Sequence, residues 1–108
     1  MDYSKSDWKL FQKKLPIWQE AYMEKVINEY IDLLKEPKQA SEKFWDLKKR
    51  INKDIKNPGV LLTMNKRSMK FDIVDLVALG VISIEDLNEF SEKLIMEVKW
   101  QLNRIEIL

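Results

Sequence analysis

The chain has 108 residues, with neither histidine nor cysteine, and its 19 basic and 18 acidic side chains leave a net charge of +1. This length predicts one domain over residues 1–108, large enough to fold without a metal or a disulfide. The missing residue types are the usual base near neutral pH, the thiolate nucleophile and the soft metal ligands. We therefore expect a protein that is not an enzyme and that holds no metal or cofactor.

Apolar segments are too short for a membrane helix. The longest runs from Leu76 to Ile82, whereas a helix needs roughly 20 apolar residues to cross a bilayer. The polar first residues do not lead into the apolar stretch of a signal peptide. We expect a cytoplasmic protein without membrane contact.

Apolar residues recur with the period of a helix, and no stretch alternates strictly, which predicts an all-α protein. We expect a compact bundle of four to five helices. A short first helix, from about Asp7 to Lys14, is expected to end or kink before Pro16, because proline disfavours helix in the preceding residue. A second helix, from Pro16 to Lys35, carries apolar residues around almost half of its circumference. We expect it to be central or shared with a partner.

The middle of the chain predicts one further amphipathic helix, from Ser41 to Lys56. Its apolar stripe is expected to face the core, and packing is also the expected role of Trp18 and Trp45. The turn Asn57-Pro58-Gly59 ends this helix. The segment from Val60 to Met64 is compatible with a buried turn of helix or an extended segment. An irregular stretch or a short helix is expected, since a lone strand has no partner within the chain. The stripe consists of Phe44, Leu47, Ile51 and Ile55.

The last third predicts two helices. Ser68 is a plausible N-cap of the first, whose Met69, Ile73, Leu76 and Val77 face inward, and Gly80 is expected to end it in a left-handed conformation. Ser83 and Asp86 form the acidic variant of a capping box. They are expected to open the longest helix of the protein, from about Ile84 to Arg104 or beyond. Its inward-facing residues are Leu87, Leu94, Val98, Leu102 and Ile105.

Three apolar residues of this last helix, Met96, Trp100 and Ile107, lie within about 20° of the side opposite Val98 at 100° per residue. An exposed tryptophan beside a methionine is typical of a protein interface. We therefore predict a protein–protein contact there, most simply in a homodimer. An unidentified protein partner is a further possibility, and so is cover from the N-terminal Trp8 and Phe11 of the same chain.

Basic residues are concentrated between positions 43 and 70, where nine basic and two acidic side chains give a net charge of +7. Such a patch is suited to nucleic acid or another polyanion. The alternative is that it packs beside the acidic last helix and is neutralised. The candidate polyanion-binding residues are Lys49, Arg50, Lys53, Lys56, Lys66, Arg67 and Lys70.

Three stretches carry a resemblance to known sequences: residues 15–24 (LPIWQEAYME), 41–47 (SEKFWDL) and 80–91 (GVISIEDLNEFS). Over nearly its whole length the chain resembles a group of small uncharacterised proteins of Firmicute bacteria, some of which are labelled as multidrug transporters. The resemblance implies a bacterial cytosolic protein. It implies no activity, ligand or site residue.

Overall fold

The computed structural model describes the backbone of residues 5–107 and the side-chain environment of residues 5–105. The protein is all-α, and no strand occurs within the described backbone. Its four α-helices agree with the predicted number, and two short 3₁₀-helices connect them. The α-helices are α1 (Lys5–Leu34), α2 (Ala40–Asp54), α3 (Met69–Ala78) and α4 (Glu92–Ile107), and the 3₁₀-helices are Lys66–Ser68 and Ile84–Leu87.

The first two predicted helices are one helix. Pro16 lies inside α1, which continues for 30 residues. Interior proline costs about 3 kcal/mol, because it removes a backbone hydrogen bond. Leu15 and Trp18 on either side are buried in the core, and burial of two such side chains is worth about as much. The prediction that a first helix ends before Pro16 is therefore wrong. The prediction that the longest helix is C-terminal is also wrong, because α4 has only 16 residues and α1 has 30.

The N-terminal half of α1 packs with α3, the 3₁₀-helix Ile84–Leu87 and α4 around the core, and we call this part of the molecule the body. The N-terminal half of α1 contributes Phe11 and Trp18, whose ring centroids lie 6.4 Å apart. The ring centroid of Phe90, just before α4, lies 6.1 Å from that of Trp18. The inward faces predicted for the last two helices are largely confirmed. The buried core residues include Phe11, Leu15, Trp18, Met69, Ile73, Leu76, Leu87, Phe90, Leu94 and Val98.

The N-terminal aromatic residues do not cover the outer side of α4. Phe11 is fully buried and Trp8 packs against the core, while Trp100 remains exposed. The alternative in which Trp8 and Phe11 cover Trp100 within one chain is therefore wrong. Ile105 is also exposed rather than inward-facing, although Leu102 one turn earlier still packs against the core.

Local turn chemistry is predicted well at the end of α3. Gly80 has a φ of 78°, the left-handed conformation expected of it, and Asp86 accepts a hydrogen bond of 2.8 Å from the backbone N–H of Ser83. This contact opens only the short 3₁₀-helix Ile84–Leu87. The helix α4 begins later, at Glu92, so the predicted start of the last helix is wrong.

The segment between α2 and α3 is irregular from residue 61 to 65, one of the two alternatives left open by its sequence. Ser68 occupies the predicted N-cap position of α3 but accepts no capping hydrogen bond there. Its hydroxyl instead donates to the carboxylate of Asp72 at 2.9 Å.

The C-terminal half of α1 and the antiparallel α2 form a hairpin that extends away from the body. The described chain measures 52 × 31 × 22 Å, and its radius of gyration is 16.6 Å. A compact chain of this length has a radius of gyration of about 13 Å. The extra length reflects the hairpin, which is packed along only one side.

Candidate interaction surface

Polar contacts hold the hairpin together. The phenol of Tyr30 donates a 2.6 Å hydrogen bond to Oδ2 of Asp54, and Nε of Arg50 donates to the same oxygen at 3.1 Å. Arg50 also forms an ion pair with Glu29 of α1. Burial and the hydrogen bond to Asp54 raise the pKa of Tyr30 from its ordinary 10.0 to about 12. The phenol therefore stays protonated and donates at physiological pH.

The turn after α2 fixes the register of the two helices. Asn57 donates from Nδ2 to the phenol oxygen of Tyr22 at 3.1 Å, and Gln19 donates from Nε2 to the carbonyl of Pro58 at 2.9 Å. The backbone N–H of Gly59 donates to Oδ1 of Asn57 at 2.7 Å. We call the connection between the two helices, residues 35–39, the tip of the hairpin. Because the helices are antiparallel, a position closer to the tip along α1 faces a position correspondingly closer to the tip along α2.

The hairpin has almost no apolar core of its own. From residue 19 to residue 55, Val26 is the one apolar side chain that is buried. The stripe of α2 that was expected to face the core is instead largely exposed, with Phe44 at 62%. Trp45 is 59% exposed as well, although Trp18 is buried as predicted. The prediction fails because α2 turns its polar edge, Arg50 and Asp54, towards α1.

The outer side of α1 carries a matching apolar stripe. Its members lie three or four residues apart, the spacing that places side chains on one side of a helix. We call the two stripes together the hairpin face. Its six exposed residues are Ile27, Ile31, Leu34, Phe44, Ile51 and Ile55.

Both stripes lie on the same side of the hairpin. In α1 the stripe lies about a quarter turn beyond the residues that contact α2, such as Tyr22 and Tyr30, at 100° per residue. In α2 it lies about a quarter turn beyond Arg50 and Asp54, in the same rotational sense. Because the helices run in opposite directions, equal rotations bring both stripes to one side. The hairpin face is therefore continuous across the two helices.

A second apolar surface lies on the outer side of α4, where one was predicted. Met96 is 68% and Trp100 is 56% exposed. The guanidinium of Arg104 lies 4.9 Å from the centroid of the Trp100 ring. Ile107 belongs to α4, but its side chain lies outside the described residues. The role of these residues as an interface remains a prediction.

The basic segment is divided among several environments. Arg50 is engaged within the hairpin, and Lys70 is 3.5 Å from Glu97 of α4 and 4.7 Å from the Phe71 ring centroid. The Lys70 contact agrees with the alternative in which basic residues neutralise the last helix. The exposed candidates are Lys49, Lys53, Lys56, Lys66 and Arg67.

Titratable residues form no recognisable centre in the described part of the chain, where no three acidic, histidine or cysteine side chains are grouped to hold a metal ion. Glu89, in the turn before α4, forms an ion pair of 2.9 Å with Lys14. The hydrogen bond from Lys14 lowers the pKa of Glu89. Of the helices within residues 5–107, none is long and apolar enough to cross a membrane.

Comparison of the chain with protein-family models, curated proteins and solved structures finds no match. The resemblance to Firmicute proteins therefore stays a prediction. The surface that sequence reasoning missed is the hairpin face. The signal for it in the sequence was the second predicted helix, Pro16 to Lys35. Its apolar residues extend around almost half of the helix circumference, more than packing on one small core requires.

Proposed function

We propose that this protein is a non-enzymatic helical protein that acts through protein–protein contact, and that the contact is self-association through the hairpin face. A location in the bacterial cytosol stays a prediction from the resemblance. The observation that carries the proposal is the placement of six exposed apolar residues on one side of a hairpin whose own seam is polar.

Two physical considerations support a partner on this face. Contiguous apolar surface of this kind is uncommon on monomeric proteins and marks interaction sites. Helices also gain most of their stability in proteins from packing of an apolar side, and α2 leaves Phe44 and Ile51 exposed to solvent. A second copy supplies an identical apolar face, so that two hairpins make a four-helix bundle with a shared core.

Sedimentation equilibrium across a range of protein concentrations tests the proposal. We expect the wild-type chain to reach twice its 13.0 kDa mass. Ile51→Glu is expected to sediment as a monomer with an unchanged far-ultraviolet circular dichroism spectrum. Ile51 is 37% exposed in the single chain, so a carboxylate there reaches solvent in the protomer, whereas an unpaired charge buried in an interface costs several kcal/mol. The dissociation constant is expected to rise at least about 100-fold.

Trp100→Glu is the matched control, because it introduces the same charge at another exposed apolar residue. Under the proposal this variant remains dimeric. If Trp100→Glu dissociates the dimer and Ile51→Glu does not, the outer side of α4 is the interface, as first predicted from the sequence. A wild-type chain that stays monomeric would overturn self-association altogether.

Polyanion binding is the second candidate. It is favoured by the exposure of Lys49, Lys53 and Lys56 along α2 and the turn after it. Fluorescence anisotropy with a labelled single-stranded oligonucleotide at about 50 mM salt tests it, because phosphate contacts are strong in that range. Replacement of these three lysines by glutamine should abolish the binding.

The control for that experiment replaces three exposed lysines of α1, Lys5, Lys9 and Lys13, by glutamine. Both variants lose the same charge. Equal loss of affinity in the two would indicate a general charge effect, and no binding by the wild-type chain would remove the candidate.

A further inference from the structure

We propose, on the basis of the self-association above, that the two hairpins pack in opposite directions, with α1 against the partner's α1 and α2 against the partner's α2. The hairpin tips then lie at opposite ends of a four-helix bundle. The alternative symmetric arrangement aligns the tips and places α1 against the partner's α2. Charged residues at the two ends of the α1 stripe distinguish these arrangements.

Glu24 and Lys35 lie at opposite ends of this stripe. They are 11 residues apart, almost a whole number of turns, and therefore share one side of the helix with Ile31. Lys35 follows the last residue of α1, but its N–H still bonds to the carbonyl of Ile31 at 3.1 Å. The stripe is consequently acidic at the end near the body and basic at the tip.

Both side chains are exposed, and neither takes part in an ion pair or hydrogen bond among the described residues. Within one chain they cannot reach each other, because 11 residues of helix separate them by about 16 Å. A stripe with opposite charges at its ends is complementary to a reversed copy of itself. In the opposed arrangement Glu24 therefore meets the partner's Lys35, and the pair occurs twice by symmetry.

The aligned arrangement lacks this match. The contacts nearest the tip, between Glu29 and Arg50 and between Tyr30 and Asp54, place Lys35 between the levels of Phe44 and Lys49. When the tips are aligned, Lys35 therefore approaches the partner's Lys48, a contact of like charge. Glu24 faces the region of the partner's Ile55, an apolar side chain. The opposed arrangement also keeps the two bodies at separate ends of the bundle.

Charge reversal tests the pairing. Glu24→Lys and Lys35→Glu each place like charges opposite one another at two symmetric positions, and we expect each to raise the dimer dissociation constant about tenfold at low ionic strength. The double variant restores the pair with the charges exchanged, and its constant is expected within about threefold of the wild-type value. Because the two residues cannot meet within one chain, recovery reports contact between chains.

Distance measurement provides an independent test. The chain has no cysteine, so a single Gln39→Cys variant carries one spin label at each hairpin tip. Gln39 is exposed and its side chain caps nothing. With Glu24 opposite the partner's Lys35, the tips are about 30 Å apart along the bundle. Aligned tips would lie about 10–15 Å apart.

The outcomes separate this inference from the proposed function. A dimer with a long distance between tips and recovery in the double charge variant supports the opposed arrangement. A dimer with a short distance and no recovery overturns the arrangement and leaves self-association intact. A monomeric wild-type chain overturns both.

Discussion

Asp7 in the first turn of α1 accepts two hydrogen bonds from Ser91, a residue 84 positions further along the chain. The backbone N–H of Ser91 donates to Oδ1 at 2.9 Å, and its hydroxyl donates to Oδ2 at 2.6 Å. The hydroxyl oxygen of Ser91 in turn accepts from the N–H of Leu94. Through these hydrogen bonds, Asp7 orients the N-cap residue of α4 and connects the first turn of α1 to the N-terminus of α4.

Asp7→Ala is therefore expected to destabilise the protein by about 1–3 kcal/mol. The carboxylate is almost fully buried, and its removal leaves the two donors of Ser91 without their acceptors. Urea denaturation followed by circular dichroism measures the change. Asp7→Asn, which keeps one acceptor oxygen, should lose less. Equal losses in the two variants would show that charge rather than acceptor geometry matters.

Pro16→Ala is expected to stabilise the protein by about 1–3 kcal/mol. Alanine restores the N–H that can bond to the carbonyl of Gln12, and it is the best helix former. Pro16 is exposed, so the exchange removes no core contact. Thermal and urea denaturation measure the effect, with Ile17→Ala at the neighbouring exposed position as control. A loss of stability would indicate that the proline ring shapes α1 in a way that the fold requires.

How far the sequence predicts this fold depends on the range of the interactions concerned. Helical periodicity and the left-handed Gly80 are local, and both are confirmed. The break at Pro16 was predicted from an equally local rule, but burial of Leu15 and Trp18 outweighs it. Intrinsic preference gives way where tertiary packing opposes it.

The interaction surface was harder to predict because amphipathicity identifies an apolar stripe without naming what covers it. The stripe containing Phe44 and Ile51 was assigned to the core, since one core is the ordinary destination of such residues. The contacts of Arg50 with Glu29 and of Asp54 with Tyr30 show that the polar edge of α2, and not its apolar stripe, faces α1. Those contacts join residues on different helices, which a single sequence does not pair.

Gly59→Ala is expected to destabilise the protein by about 1–3 kcal/mol through overpacking. A methyl group at this position would lie 2.6 Å from Cδ2 of Tyr22 and 2.7 Å from Cγ2 of Val81. The turn after α2 would have to move away from α1. Denaturant titration measures the loss. The double variant with Val81→Ala is expected to cost less than the sum of the two single changes.

Gly80→Ala is the informative control for that experiment. No atom lies within 4 Å of an added methyl group there, but φ is +78°, a conformation that costs alanine about 1–2 kcal/mol. Gly80→Asn should recover part of this loss, because asparagine adopts the left-handed region more readily. Gly59→Asn should recover nothing. The opposite pattern at the two positions would contradict the assigned causes.

Tyr30→Phe is expected to change how stability depends on pH above 10. Burial and the hydrogen bond to Asp54 raise the pKa of Tyr30 from 10.0 to about 12. Below pH 10 both the folded and the unfolded chain hold the phenol proton, so the stabilising contribution is complete. As the pH rises from 10 to about 12 the unfolded chain releases its proton first, and the free energy of unfolding falls.

Urea titrations at pH 9 and at pH 11.5 measure this slope. The wild-type chain should lose more stability between the two values than Tyr30→Phe, since phenylalanine has no proton to release. Lysine deprotonation affects both chains alike and cancels in the comparison. Tyr22→Phe is the comparison variant. Burial also raises the pKa of Tyr22, but its phenol oxygen accepts from Asn57 at 3.1 Å, a longer contact than the 2.6 Å hydrogen bond from Tyr30 to Asp54. Parallel slopes for wild type and Tyr30→Phe would mean that the Tyr30 phenol is not held by Asp54 in the folded protein.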